Sequence, residues 1–278
     1  MTALDLTAPR SGPFDRMLAD APLLTRTGVL ILLALVPMLL AMQIDPRLYQ
    51  NTAIWLKPAK FHLALAVYVL TLAFYARWLP AGFAGRRAVR WFSAYAVFCI
   101  LAELVWIGGA AAMGTGSHFN VADPVMSALY SVMGLFAVSL TALSLVYGWG
   151  ILRNRDSGLP PAVHLGLWLG LVLTLPLTLV TAGTMSAAGG HLVGPAGAEG
   201  HGLWLMGWNR LAGDLRVAHF FATHAMHAIP LAGLAAAAVL SGRAATRATL
   251  AAALAYVALV GFTFWQALQG QPFLPGLG

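Results

Sequence analysis

Seven apolar stretches, each long enough to cross a bilayer, run along this chain of 278 residues. A hydrocarbon core of about 30 Å needs a helix of roughly 20 mostly apolar residues. Hydrophobic residues make up 60% of the sequence and charged residues only 9%, whereas a soluble domain has about a quarter charged residues. The sequence therefore predicts an all-α polytopic membrane protein, a single domain built as a seven-transmembrane helix bundle. The predicted spans are 28–43, 61–79, 89–113, 124–151, 161–186, 215–240 and 246–268, after a tail over 1–27.

The basic residues predict the orientation of this bundle, because loops rich in Lys and Arg stay on the cytoplasmic side. With the N-terminus inside, the inner segments hold most of the 16 basic residues. These inner residues are Arg10, Arg16, Arg26, Arg77, Arg86, Arg87, Arg90, Arg153, Arg155, Arg243 and Arg247. The outer ones are Arg47, Lys57, Lys60, Arg210 and Arg216. We therefore expect an N-in, C-out protein of the bacterial inner membrane, with its first apolar run retained as a helix rather than removed as a signal peptide.

The net charge of +7 follows from this bias toward the inner face and gives no indication of a nucleic-acid partner. The expected partners are the lipid bilayer and a small molecule. The single cysteine, Cys99, lies within a predicted span and excludes a disulfide framework. A retinal protein is excluded as well, because it needs a lysine in its last span and residues 246–269 contain none.

One predicted span carries four polar residues that are costly in lipid: Arg216, His219, His224 and His227. At 100° per residue they share one broad face of a helix. Ionisable residues inside a membrane mark a functional site by default. We therefore expect this face to form the wall of a deep polar cavity that is open to the outer side.

A metal site is the first interpretation of this cavity. His224 and His227 are three residues apart, close enough on a helix surface to bind one ion together. Glu103, in another span, lies at a similar predicted depth and would complete a three-ligand site with open positions. In this model His219 and His224 are metal ligands, whereas Glu103 and His227 act as a ligand or as an acid/base pair.

A b-type haem is the second interpretation. Its axial ligands would come from facing helices, with His219 or His224 paired with His62 or His118. The cofactor is thus expected to be haem b or a transition metal, namely iron, copper or zinc, and redox chemistry on a small molecule, lipid or quinone-like substrate is favoured.

The outer basic residues and loop histidines surround the expected cofactor. Lys57, Lys60 and Arg216 would hold an anionic part of the cofactor or substrate. His118 and His191 would form a lid over the site or would contact the ligand side chains without binding the cofactor themselves.

Two other functions remain open. A metal-dependent membrane hydrolase of the seven-span type, as in ceramidases and adiponectin receptors, would also use histidines with a carboxylate, although paired histidines there are four apart and those here are five and three apart. A proton-coupled transporter would use Glu103 and the column of His219, His224 and His227 as titrating groups.

Three features predict local structure. Asp214 is expected to cap the sixth span, because an N-cap carboxylate accepts backbone N–H bonds. Thr174, Thr178 and Thr181 share one helix face and predict a helix-packing interface. Pro230 lacks an N–H group and is expected to kink the sixth span just below its last histidine.

Four segments carry a resemblance to known sequences: WLKPAKF at 55–61, SHFN at 117–120, GGHLVG at 189–194 and GDLRVAHFFATH at 213–224. Together they resemble a group of uncharacterised bacterial multi-pass membrane proteins. The resemblance covers most of the chain, and it implies a set of site positions but no reaction. Those positions are Lys57, Lys60, His118, Asn120, His191, Asp214, Arg216, His219 and His224.

Overall fold

A computed structural model of the protein describes residues 12–121, 123–194, 202–203 and 206–274. Within these ranges lie nine helices: α1 Pro13–Asp20, α2 Pro22–Ile44, α3 Leu56–Tyr75, α4 Arg87–Ala112, α5 Pro124–Arg153, α6 Pro161–Ala187, α7 Leu215–Thr223, α8 Ala225–Val239 and α9 Gly242–Leu268. Helices α2, α3, α4, α5, α6 and α9 are each long and apolar enough to cross a membrane. The pair α7 and α8 passes the same test as one bent span. The structure is therefore all-α, with six or seven candidate spans.

Short strands in the described ranges lie together at one end of the bundle, which we call the strand end. They form three antiparallel pairs: β1 Leu48–Tyr49 with β2 Thr52–Ala53, β3 Leu192–Val193 with β6 Gly213–Asp214, and β4 Gly202–Leu203 with β5 Trp208–Asn209. These pairs order the long connections that precede α3 and α7. The strand end therefore positions the first turns of both helices.

Most helix limits differ from the predicted spans by only a few residues. The largest differences are at two starts, where α2 begins at Pro22 and α3 at Leu56. Proline fits the first turn of a helix because the N–H group it lacks has no partner there. Because α3 begins at Leu56, Lys57 and Lys60 belong to its first turns and do not precede the helix.

The bend in the sixth span lies at His224, and the prediction that Pro230 kinks the helix below its last histidine is wrong in position. Helices α7 and α8 meet there at 54°, and Pro230 lies inside α8. The carbonyl group of Met226, which lacks its usual donor because of Pro230, accepts a hydrogen bond from Tyr75 Oη at 3.1 Å. A side chain of α3 thus compensates for the proline, and α8 continues past it.

The break at His224 is stabilised by a different helix. Tyr256 Oη of α9 donates to the carbonyl oxygen of Phe221 at 2.8 Å. This carbonyl lies in the last turn of α7, where helical donors are missing. The bend therefore has its own hydrogen-bond partner and is part of the fold.

Helices α6 and α8 approach each other closely through glycines. A Cβ atom added to Gly170 would lie 2.7 Å from the carbonyl oxygen of Ala225, and one added to Gly233 would lie 2.7 Å from that of Ala162. Small residues allow such backbone contact between membrane helices. This contact fixes α8, and with it His227, against α6.

The predicted threonine interface continues this stripe of small residues along α6. Thr174, Thr178 and Thr181 are buried, and Thr174 Oγ1 donates to the carbonyl oxygen of Gly170 at 2.9 Å. The interface has a second role at its far end, because Thr181 contacts a histidine of α7.

Candidate functional site

The three histidines of the bent span each have one ring nitrogen held by a neighbour. His224 Nδ1 lies 2.8 Å from the carbonyl oxygen of Phe220, and a carbonyl can only accept, so Nδ1 carries the proton. Thr181 Oγ1 donates to the carbonyl oxygen of Leu177 at 3.0 Å and lies 3.2 Å from His219 Nδ1. The neutral His224 ring therefore presents an unprotonated Nε2, as metal-binding histidines do.

His227 lies one turn deeper and contacts α3. Its Nε2 atom is 3.0 Å from Thr71 Oγ1, whereas its Nδ1 atom is buried and has no hydrogen-bond partner. A buried polar atom without a partner costs free energy, on the order of 1–3 kcal/mol. A ligand bound to His227 Nδ1 would therefore stabilise the protein.

His224 and His227 are close enough to share an ion. Their ring centroids are 5.3 Å apart, and two imidazoles that each bind one tetrahedral ion through a nitrogen at about 2.1 Å have centroids about 5 Å apart. Phe220 stacks on His224 with a centroid distance of 4.0 Å. The stacked ring restricts the motion of His224 and excludes water from one of its sides.

The face of α3 opposite these histidines is open. Lys57, Lys60, Ala64, Val67 and Thr71 lie within an arc of about 80° on the helix, and Ala64 and Val67 are exposed. Most buried residues of α3 lie on its other side, against α2 and α4, whereas the buried Tyr75 contacts α8. We call the space between this face and the bent span the α3–α7 groove. It is bounded by the five α3 residues just given and, on the bent span, by Arg216, His219, His224 and His227.

Positive charge collects at the strand end of this groove. Arg216 interacts electrostatically with both Lys57 and Lys60, and we call these three residues the cationic cluster. Lys60 Nζ donates to the carbonyl oxygen of Met206 at 3.2 Å, and Arg216 Nη2 donates to that of Gly207 at 2.7 Å. The loop before α7 is thus held on the cluster by its carbonyl groups.

Asp214 is the carboxylate at this cluster, and the prediction that it caps the sixth span is confirmed. Its side chain accepts from the backbone N–H of Arg216 at 3.0 Å and forms an ion pair with Arg216 Nη2 at 2.6 Å. It also accepts from the backbone N–H of Asn209 at 2.9 Å. One buried carboxylate therefore orients the arginine, the loop and the start of α7.

His118 lies beside the cluster in the connection between α4 and α5. Burial, and to a smaller extent the nearby Lys57 ammonium, lowers the pKa of His118 to about 3. The ring contacts Phe61 and Tyr130, with centroid distances of 5.7 and 5.9 Å. His118 is therefore a neutral ring packed at the edge of the groove and adds no positive charge to the cluster at neutral pH.

The other histidines have separate places. The carbonyl oxygen of His191 accepts from the backbone N–H of Leu215 at 2.9 Å, which puts His191 at the start of α7. His62 is buried on the α3 face that points away from the groove. His164 binds the carbonyl oxygen of Ile151 far from this end. His201 lies outside the described residues.

Glu103 does not join the histidines, and the predicted site of Glu103, His224 and His227 is wrong in this respect. Glu103 is buried on α4 beside the core residues Cys99, Ile100 and Leu104, whereas His227 contacts Thr71 on the opposite side of α3. No group of three or more His, Cys, Asp or Glu side chains in the described part of the chain is arranged to hold a metal ion.

The expected haem pairing of His219 or His224 with His62 or His118 stays a prediction. His62 points away from the groove, and the residues that contact His219 and His227 from neighbouring helices are Thr181 and Thr71. The two imidazoles that lie next to each other, His224 and His227, belong to one bent span.

Several residues of the groove escaped the sequence analysis. Thr71 shares a helix face with Lys57 and Lys60, a spacing that could have identified it. Trp208 packs on Phe220 and Phe273, with centroid distances of 5.4 and 5.5 Å, and so supports the ring that stacks on His224. No local pattern marks this contact, because it joins three distant segments.

No protein-family model, curated protein or solved structure matches this chain. The function of the α3–α7 groove therefore has to be argued from its own geometry.

Proposed function

We propose that this protein binds one transition-metal ion in the α3–α7 groove, through Nε2 of His224 and Nδ1 of His227. The proposal includes a bacterial inner-membrane location with the strand end outside, which the distribution of basic residues supports. The groove then opens toward the outer leaflet. The ion would serve a redox or Lewis-acid reaction on a membrane-soluble small molecule.

A single observation carries this proposal: two neighbouring imidazoles have nitrogens that are free to coordinate. His224 Nδ1 donates to the carbonyl oxygen of Phe220 and leaves Nε2 unprotonated. His227 Nδ1 is buried without a partner. The ring separation of 5.3 Å matches one shared ion, and imidazole suits zinc, copper and iron.

The neighbours of the pair have supporting roles. Thr71 of α3 lies 3.0 Å from His227 Nε2, and Tyr75 of α3 donates to the carbonyl oxygen of Met226, so the first residues of α8 contact α3. Two protein ligands leave coordination positions open, as in catalytic metal sites. His219 lies on the same segment and would accept a proton from a substrate bound there.

Cobalt(II) binding tests the proposal, because Co²⁺ in a tetrahedral site has visible absorption. The full chain in detergent would be titrated alongside His224→Ala, His227→Ala, His164→Ala and Glu103→Gln. We expect the wild type to bind one equivalent and both groove variants to lose affinity by about 100-fold or more, since loss of a residue that merely orients a ligand already costs about 10–100-fold. His164→Ala and Glu103→Gln lie away from the groove and should bind like the wild type.

The outcome that contradicts the proposal is equal Co²⁺ binding by the wild type, His224→Ala and His227→Ala. Loss of binding in Glu103→Gln alone would instead favour a site on α4, as the hydrolase and transporter models require.

Transport is a second candidate, favoured by the bend at His224. Discontinuous spans whose broken ends face a polar site are common in transporters. In that case His224 and His227 would carry a cation or proton across the bend. A protein that binds no metal tightly but takes up Co²⁺ or protons in liposomes in a His224-dependent manner would have this function.

A further inference from the structure

We infer that the cationic cluster of Lys57, Lys60 and Arg216 binds the phosphate group of an anionic molecule whose body lies along the α3–α7 groove. This inference names the substrate class of the proposed function. It rests on that function only because the phosphate site and the metal site lie in the same groove. The cluster lies at one end of the groove and the His224–His227 pair lies at the other.

The charge of the cluster is the first argument. Three cations interact there, and among the described residues Asp214 is the one carboxylate that forms an ion pair with them. Within the described residues, two positive charges of the cluster are thus left without a carboxylate partner. A phosphomonoester carries about −1.5 to −2 charges at neutral pH, so a single phosphate group would balance the cluster.

Within the described ranges, the cluster also has N–H groups that donate no hydrogen bond. Lys57 makes a cation–π contact with Phe61 at 6.0 Å but donates no hydrogen bond within the described ranges, and its side chain is exposed. Lys60 uses one of its three N–H bonds on Met206. By contrast Arg47, another cation of the strand end, is paired with Asp45 at 2.7 Å. Lys57 and Lys60 have no such carboxylate partner among the described residues.

The loop before α7 adds a second unpartnered group. Arg210 Nη1 is buried and has no hydrogen-bond partner, and Arg210 lies in the same loop as Gly207, whose carbonyl group binds Arg216. A buried guanidinium nitrogen without an acceptor is costly. An anion at this end of the groove would lower the cost of keeping the three cations of the cluster close together.

The position of the cluster explains why the anion belongs to a larger molecule. Lys60 and Thr71 are eleven positions apart on α3, or about 16 Å along the helix axis. The exposed side chains between them, Ala64 and Val67, are small and apolar. A molecule with a phosphate at the cluster would therefore lay an apolar body along the groove and reach the histidine pair.

Two sources can supply this chemistry, a free phosphate ion and the headgroup of a lipid. Calorimetry on the full chain in detergent would use three probes: inorganic phosphate, lysophosphatidic acid and lysophosphatidylcholine, the last with the same apolar body but a zwitterionic headgroup. The proteins would be the wild type, Lys57→Gln/Lys60→Gln, and Arg86→Gln/Arg87→Gln. The last variant removes two cations from the exposed start of α4, at the other end of the bundle.

We expect the wild type and the Arg86/Arg87 variant to bind lysophosphatidic acid at least about tenfold more tightly than the Lys57/Lys60 variant, because each charge-assisted hydrogen bond is worth about a tenfold effect or more. Lysophosphatidic acid should also bind more tightly than inorganic phosphate, since it adds the apolar body. Equal affinities for these two probes would identify free phosphate as the ligand.

The inference is overturned if neither phosphate probe binds, if the Lys57/Lys60 variant binds as well as the wild type, or if lysophosphatidylcholine binds as tightly as lysophosphatidic acid. Metal content measured on the same samples separates this result from the proposed function. A protein that holds metal without binding phosphate contradicts only the anion site, and the reverse contradicts only the metal site.

Discussion

Gly170→Leu is expected to lower the unfolding free energy by about 3 kcal/mol, because overpacking a close helix contact costs 1–3 kcal/mol or more. A Cβ atom at this position would lie 2.7 Å from the carbonyl oxygen of Ala225 and 2.8 Å from Pro230 Cδ. Backbone atoms cannot move aside as a side chain can, so α6 and α8 would have to separate. Thermal unfolding in detergent, followed by size exclusion of the soluble fraction, measures this loss.

Gly183→Leu is the matched control on the same helix, because a Cβ atom there would meet nothing within 4 Å. Both variants gain the same helix propensity of about 1 kcal/mol, so their difference isolates the packing effect. Gly183→Leu should unfold at or above the wild-type temperature. Equal stability of the two variants would mean that α6 and α8 do not pack as described.

Asp214→Ala is expected to destabilise the protein by about 3 kcal/mol, as removal of one partner from a buried ion pair does. The change leaves Arg216 without its carboxylate beside Lys57 and Lys60. It also removes the acceptor of the backbone N–H of Asn209. Chemical or thermal unfolding at low ionic strength measures the effect, and added salt should reduce it because salt screens the repulsion among the three cations.

Asp123→Ala provides the comparison. Asp123 caps α5 by accepting from the backbone N–H groups of Val125 and Met126, but it is exposed. Loss of such a cap costs about 1 kcal/mol. If Asp214→Ala costs no more than Asp123→Ala, Asp214 acts only as a helix cap and the compensation of the cationic cluster is not important for stability.

The sequence predicted well what depends on hydropathy and local spacing. The candidate spans follow from apolar runs. Asp214 was identified as a cap from its position directly before the sixth span. These features are set by neighbouring residues, so they can be worked out without knowing how the helices are arranged.

The errors arose where the arrangement of helices decides the result. The depth of Glu103 could be estimated from its distance to the end of its span, but the side of α3 on which it lies could not. The bend was expected at Pro230, yet it lies at His224 because Tyr75 satisfies the carbonyl group that the proline leaves free and Tyr256 satisfies one in the last turn of α7. Both tyrosines come from other helices, which no local pattern links to the bend.

The arrangement suggests a division of roles along the α3–α7 groove. The strand end holds Arg216 and the loop before α7 in place through Asp214. Farther along, the bend presents His224 and His227 toward α3, where Thr71 orients the deeper ring. One ligand molecule would thus have its charged headgroup at the cationic cluster and its reactive group about 16 Å away, at the His224–His227 pair.

Elemental analysis combined with an absorption spectrum of the detergent-purified protein tests the metal site most directly. The account predicts close to one zinc, copper or iron ion per chain, no Soret band, and loss of the metal in the double variant His224→Ala/His227→Ala. A folded wild-type protein that contains no metal, even after incubation with each ion, would contradict the account. A Soret band that survives in the double variant would contradict it as well, because haem would then be bound elsewhere.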